Sequence, residues 1–230
     1  MGLAQRLSTY NRTRKWSEFL SLVEPRAGMR VLDVGYTEKE YQAADNFLEK
    51  HYPYPEDITA LGVDEPVLFQ RRYPKVRALR YGGGKFPFED KSFDIAWSNA
   101  VIEHVGDAKA QTLFLAEIVR VSKFAFVTTP NRGFPIEVHT RLPFLHWLPK
   151  PVFDRILVAI GKDWAAGDYM HLLNERDFRK RLADVGVADY RFLRNRLAGF
   201  TIDFVAAVGA PEATVPAERN TRVEQVATAR

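Results

Sequence analysis

Five short apolar runs, each closed by a glycine, an acid or a polar turn, constrain what this chain can fold into. They lie at residues 29–35 (M-R-V-L-D-V-G), 58–63, 76–81, 93–98 and 124–129. Each is too short for a buried helix and apolar on both faces, which suits strands covered on both sides. Between them lie helical patterns, one through about residues 41–51, stopped by Pro53 and Pro55, and one at 108–121. Strands alternating with helices imply a parallel sheet between two helical layers. Ligands of such sheets bind outside the carboxyl ends of the strands. The chemistry is therefore expected after Gly35, Asp64, Tyr81, Ser98 and Pro130.

The flanking segments read less regularly. Residues 3–24 pattern as an amphipathic helix carrying Leu3, Leu7, Trp16, Phe19, Leu20 and Val23, ended by Pro25 and Gly28. Residues 131–175 break the rhythm, being rich in proline, aromatics and histidine. A helix then starts at Asn174 or Glu175 and runs to Val185. Strands are expected at about 188–193 and 200–208. From Ala210 the sequence is Ala, Thr, Pro, Glu and Arg with few large apolar residues, the composition of a disordered tail. This divides the chain into an N-terminal helix at 1–27, an α/β domain at 28–209 with an inserted cap at 131–175, and a tail at 210–230.

A length of 230 residues suits one α/β domain with an extension. The absence of cysteine excludes disulfides, thiolate metal sites and cysteine nucleophiles. With no secretory apolar segment at the N-terminus and no run of about 18 apolar residues, a cytoplasmic protein is the expectation. The net charge of +4 sits entirely in residues 1–30, where Arg6, Arg12, Arg14, Lys15, Arg26 and Arg30 face only Glu18 and Glu24. The plain reading is a solvated helix face. The sharper one is contact with an anionic membrane or an acidic substrate. No basic run is interleaved with exposed aromatics, so nucleic acid is not the expected partner.

Three segments carry a family resemblance: V-L-D-V-G at 31–35, F-P-F-E-D-K-S-F-D-I-A-W-S-N-A-V-I-E-H-V at 86–105, and F-V-T-T-P-N-R at 126–132. Together they resemble the type-11 group of class I S-adenosylmethionine-dependent methyltransferases, which includes quinone-biosynthesis enzymes. The resemblance covers roughly residues 28–132. It implies a Rossmann-like, doubly wound, seven-stranded and mostly parallel sheet whose last strand is antiparallel, with S-adenosylmethionine as cofactor. By position it places Asp64, with Glu65 as near substitute, on the ribose diol, since a carboxylate accepts two hydrogen bonds. It places Asp33, Gly35 and Tyr36 at the methionine end. The Phe86 backbone would flank the adenine, and Ser98 and Asn99 would face the amino-acid end and the methyl group.

The sequence departs from the family in two places. The usual G-x-G-x-G loop is here Gly35-Tyr36-Thr37-Glu38-Lys39, and Gly82 stands where an adenine-binding aspartate is common. Two readings follow: an enzyme with a rebuilt cofactor loop, or a non-catalytic methyltransferase-like module. A nicotinamide-dependent dehydrogenase would need a Gly-x-Gly-x-x-Gly turn, which is absent.

On the acceptor side, a proton must leave an oxygen or nitrogen nucleophile, and a histidine near neutral pKa can take it. His104 and His139 follow the fourth and fifth strands and are the catalytic candidates. His146, among apolar residues, reads as a core histidine, His171 as a lid contact and His51 as a helix-end residue. No histidine–carboxylate pair has metal-ligand spacing, so no metal is expected. The apolar excess of residues 131–160 would pack a cap core, line a pocket for a small or lipid-like acceptor, or touch a membrane with Arg141 and Lys150 at the headgroups.

Overall fold

The computed structural model describes residues 3–209, with side chains from residue 8 onward. The expected tail lies outside the described residues, as do the side chains of Leu3 and Leu7. The elements are α1 (Leu3–Leu22), β1 (Val31–Val34), α2 (Phe47–His51), β2 (Ile58–Gly62), α3 (Val67–Arg72), β3 (Arg77–Arg80), β4 (Phe93–Asn99), α4 (Ala108–Val121), β5 (Ser122–Pro130), α5 (Lys150–Ala159), α6 (Glu175–Asp184), β6 (Tyr190–Leu197) and β7 (Phe200–Val208).

The seven strands form one sheet in the order β3-β2-β1-β4-β5-β7-β6. Every pairing from β3 to β5 is parallel, and β7 runs antiparallel to both β5 and β6. The doubly wound fold with a reversed last strand is as the sequence implied. Alternation along the strands sorts side chains into two cores. Leu32, Val34, Ala96, Ala125 and Val127 face a core shared with Phe114, Leu115 and Ile118 of α4 and Phe178 and Leu182 of α6. Val31, Ile95, Trp97, Phe124 and Phe126 face the other, with Phe19 of α1, Leu48 of α2 and Phe69 of α3. Burying a side chain of the size of Phe19 or Phe114 contributes about 2–3 kcal/mol. Capping sets the starts of the long helices. The Asp107 carboxylate accepts from the amides of Lys109 and Ala110, and Asn174 and Asp177 form a reciprocal capping box. Among the described residues no helix is long and apolar enough to cross a membrane.

Three expectations need correction. The helix expected at 41–51 forms only over α2. The Asp45 carboxylate accepts from the amides of Tyr41 and Gln42, and Asn46 takes a left-handed φ of 46°, so local side-chain bonds outcompete the first helical turns. Helix α3 is an addition, its N-terminus held from a distance by Glu38, whose carboxylate accepts from the amides of Leu68 and Phe69 at 2.6 and 3.0 Å. Finally, α1 is not amphipathic in the simple sense. Phe19 and Val23 are buried and Leu20 is exposed. Nearer the helix start Lys15 also points inward, its Nζ 3.4 Å from the Asp203 carboxylate and 3.4 Å from Thr128 Oγ1. That part of the basic helix is therefore neither solvated nor turned to a lipid surface.

In the cap, Phe153, Leu157, Ala165 and Met170 pack a small core of their own. His146 is buried there, its Nε2 2.9 Å from the carbonyl of Phe134, as expected of a core histidine.

Candidate active site

Helix α1 brings Arg12 within electrostatic reach of Asp33 on β1 and Lys15 to within 3.4 Å of Thr128 Oγ1 on β5. The loop after β1 answers how a glycine-poor turn is built. Gly35 alone in that turn needs its glycine: its φ is 108°, and a Cβ there would stand 2.3 Å from Val101 Cγ2. Tyr36, Thr37, Glu38 and Lys39 all have negative φ, so the absent glycines leave no backbone strain. Side chains brace the turn instead. Asn46 Oδ1 accepts from the Thr37 amide at 2.8 Å, and Asn46 Nδ2 donates to the Thr37 carbonyl at 2.9 Å. Glu40 binds Lys50, Arg72 and Tyr73.

Tyr36 is buried, lies over Gly62, where a Cβ would stand 2.7 Å from its ring, and donates its hydroxyl to the Asp64 carbonyl at 2.6 Å. Burial and the nearby Asp64, Glu38 and Glu65 push its phenol up to about 12, so it stays a neutral wall. Asp64 is exposed at the end of β2, whereas Glu65 is engaged by Arg80. The Phe86 amide is already spent on Glu117, at 2.7 Å, and the Phe86 carbonyl accepts from Arg120.

Buried polar atoms gather at the strand ends. Ser98 Oγ, Asn99 Nδ2, Glu103 Oε1 and Asp203 Oδ1 are all buried without a hydrogen-bond partner. Buried polar atoms without a partner at the carboxyl ends of strands are candidates to bind a ligand, since core polar atoms are ordinarily paired. Asn99 Oδ1 accepts from Thr128 Oγ1 at 2.6 Å, which fixes the amide and leaves its buried nitrogen unpaired. Asp33 faces Glu49 of α2. Burial raises both carboxyls, Asp33 to about 6 and Glu49 well above its ordinary value, with the charge of Asp33 adding to the rise of Glu49. Arg12 of α1 lies within electrostatic reach of Asp45, Glu103, Asp33 and Asp203. Burial lowers its guanidinium and these four acids pull it back up. Among the described residues it closes no ion pair or hydrogen bond. Arg12 and Glu49 were invisible as site residues in the sequence: the first was counted only as helix charge, the second only as a helix position.

The acceptor-side candidates do come together. His104 sits on a short turn after β4 and His139 in the cap, and their Nε2 atoms are 3.1 Å apart. His104 Nδ1 lies 2.8 Å from the carbonyl of Tyr169, and His139 Nδ1 lies 2.7 Å from Glu137 Oε1. Glu137 is buried and also accepts from the amides of His139 and Thr140. Burial would raise its carboxyl, but the bond to and charge of His139 with the amide bonds hold it down at about 2. Burial would lower His139, and Glu137 and then Glu103 raise it on balance. Glu103, fully buried, accepts from Thr129 Oγ1 through Oε2 at 3.1 Å, while Oε1 lies 3.9 Å from His104 Nε2. His171 ties the cap to this turn, donating its amide to the Glu103 carbonyl at 2.6 Å. The sequence missed Glu103 and Glu137, although each stands within two residues of a histidine it had singled out. The absence of metal-ligand spacing in the sequence is offset by the fold: ligand atoms of Glu103, His104 and His139 all lie within 4.8 Å of one another.

Comparison with known proteins agrees with this fold. Residues 32–124 match the family model described as a methyltransferase domain. An S-adenosylmethionine-dependent methyltransferase from Methanosarcina mazei has the same fold, with a TM-score of 0.55 at 18% identity over 85% of this chain and 98% of that one. One from Aquifex aeolicus gives a TM-score of 0.53 at 17% identity over 84% and 88%. Geranyl diphosphate C-methyltransferase from Streptomyces coelicolor, solved with Mg2+, geranyl diphosphate and S-adenosylhomocysteine, gives 0.55 at 12% identity over 85% and 77%. No curated protein sequence matches the chain. The unpaired polar atoms, the acid-lined floor and Arg12 fit a cofactor bearing a cationic sulfonium and a zwitterionic amino-acid end.

Proposed function

We propose that the chain methylates an oxygen of a small or lipid-like acceptor at the His104–His139 pair. The observation that carries this reading is the pair itself: two imidazoles joined across a 3.1 Å gap at the ends of β4 and β5, one of them oriented by a buried carboxylate. When bound, S-adenosylmethionine supplies an electrophilic methyl. The chain's own residues would do the rest. Asp64 would accept both ribose hydroxyls. Arg12 would take the methionine carboxylate, and the Asp33 carboxylate would take the ammonium. Asn99 Nδ2 and Ser98 Oγ would orient that same end. On the acceptor side the histidine pair would receive the hydroxyl proton, with Glu137 stabilising the imidazolium. Alignment of nucleophile and methyl would supply most of the acceleration.

The resemblance to quinone-biosynthesis enzymes and the cap's surface both favour an apolar acceptor. Phe144, Trp147, Leu148 and Val152 are all more than a third exposed along one stretch of the cap. We take this stretch as the acceptor-side or membrane-side surface, with Arg141 nearby for headgroups. Calorimetric titration with S-adenosylhomocysteine tests the cofactor half. Micromolar binding that falls at least tenfold in Asp64→Ala is the expected outcome, and no binding at millimolar ligand would overturn it.

A further inference from the structure

We propose that Glu103, His104 and His139 hold a divalent transition-metal ion of the zinc class, bound through the two Nε2 atoms and Glu103 Oε1, with its open coordination positions turned to the acceptor.

The ring tautomers carry the argument. His104 Nδ1 faces the Tyr169 carbonyl, which can only accept, so Nδ1 carries the hydrogen. His139 Nδ1 faces the Glu137 carboxylate, so it too carries the hydrogen. In the neutral rings both Nε2 atoms are then bare lone pairs, and they point at each other across 3.1 Å. Two acceptors do not bond, so a cation must lie between them, either a proton or a metal ion. The third donor decides between these. Glu103 Oε1 is buried, has no hydrogen-bond partner and lies 3.9 Å from His104 Nε2. A proton shared by two imidazoles leaves that oxygen unpaired; a metal ion satisfies all three donors at once.

The imidazole spacing suits a first-row ion, and Glu103 Oε1, 3.9 Å from His104 Nε2, would have to close in by roughly half an ångström to join it. Imidazole nitrogens at about 2.0–2.1 Å from a tetrahedral centre stand roughly 3.3 Å from each other, close to the gap observed. Each donor also has an outer partner, as metal ligands do: Glu137 behind His139, the Tyr169 carbonyl behind His104, and Thr129 on the other oxygen of Glu103. Charge balances as well, since the two buried carboxylates, Glu103 and Glu137, match a divalent cation. Two imidazoles with one carboxylate favour Zn2+ or Co2+ over Mg2+, which prefers oxygen donors and keeps its waters. Three protein ligands leave a position open, as in catalytic rather than structural zinc sites.

The role of such an ion rests on the acceptor reading above; its binding does not. An acceptor hydroxyl on the open position would lose its proton to solvent more readily. Its oxygen would form the new O–C bond as the S–C bond breaks, with that electron pair going to sulfur and leaving S-adenosylhomocysteine. The ion would thus do what the free histidine pair would otherwise do as a base.

The test is titration of the chelator-treated full chain with ZnCl2, CoCl2 and MgCl2, with the visible bands of bound Co2+ as a second readout. One equivalent of Zn2+ bound at micromolar Kd or tighter, intense bands of a nitrogen–oxygen-ligated Co2+, and no response to millimolar Mg2+ are expected. His139→Gln and Glu103→Gln should each weaken Zn2+ at least a hundredfold, and Glu137→Gln by ten- to a hundredfold. Retained S-adenosylhomocysteine binding certifies that each variant is folded. Failure to bind Zn2+ or Co2+, or binding unchanged in His104→Gln/His139→Gln, overturns the proposal and leaves a shared proton as the bridging cation. Zinc binding without S-adenosylhomocysteine binding sinks the functional reading alone, and methyl transfer by metal-free protein sinks the catalytic role of the ion alone.

Discussion

Replacing Glu49 with glutamine should stabilise the protein at alkaline pH and leave it unchanged in acid. Asp33 and Glu49 face each other in the layer between β1 and α2, both buried. Burial moves Asp33 from 3.8 to about 6 and Glu49 further above its ordinary 4.5. A carboxyl whose pKa is raised on folding binds protons more tightly when folded. Its contribution is full below the unfolded value near 4 and is lost as pH rises through the folded value near 6. The shift of Asp33 alone corresponds to roughly 3 kcal/mol, lost between about pH 4 and pH 7. In Glu49→Gln the raised Glu49 carboxyl is gone, so its share of the loss with rising pH disappears while that of Asp33 remains. Urea unfolding midpoints measured from pH 4 to pH 8 should show the variant gaining about 1–3 kcal/mol over the wild type at pH 8 and nothing at pH 4. Contributions from all other titrating groups cancel in that difference. Parallel pH profiles, or a variant less stable at pH 8, would refute the raised pKa of buried Glu49.

Gly35→Ala should lower stability by about 2–3 kcal/mol, from a non-glycine residue at φ 108° and a Cβ pressed on Val101. Thermal melts should show Val101→Ala recovering only the packing part. Arg12→Gln should raise the Kd for S-adenosylhomocysteine about ten- to a hundredfold, as loss of one charge-assisted contact to a carboxylate does. An unchanged Kd in calorimetry would remove Arg12 from the site. The exposed apolar stretch at 144–152 should sediment the protein with anionic vesicles at low salt. Phe144→Ser/Trp147→Ser should abolish that, and absence of the wild type from the pellet would reject membrane contact.

The positions of the strands were legible because their information is local. Apolar runs such as 93–98 and 124–129 mark buried strands, and Asn174 marks a helix start. The lengths of α2 and α3 were not, because Asp45, Asn46 and Glu38 decide them through bonds made outside the helical pattern. At the site, each histidine candidate was legible from its place after a strand. Their meeting was not, since Glu103 and His139 are joined only by the cap's path. Arg12 was hidden for a different reason. A charge on a helix is read as solvated unless something says which way the helix faces, and only the packing of Phe19 on Trp97 and Phe126 says so.

The carbonyl of Tyr169 has a reach beyond its own bond. It belongs to the cap, yet it determines which nitrogen of His104 carries hydrogen. The cap's amide at His171 likewise holds the turn that bears Glu103 and His104. A change of cap sequence that moved this backbone by an ångström would therefore alter proton placement on a residue it never replaced. The segment proposed to meet the acceptor thus also tunes a residue proposed to act on it, and a redesigned cap would change both together.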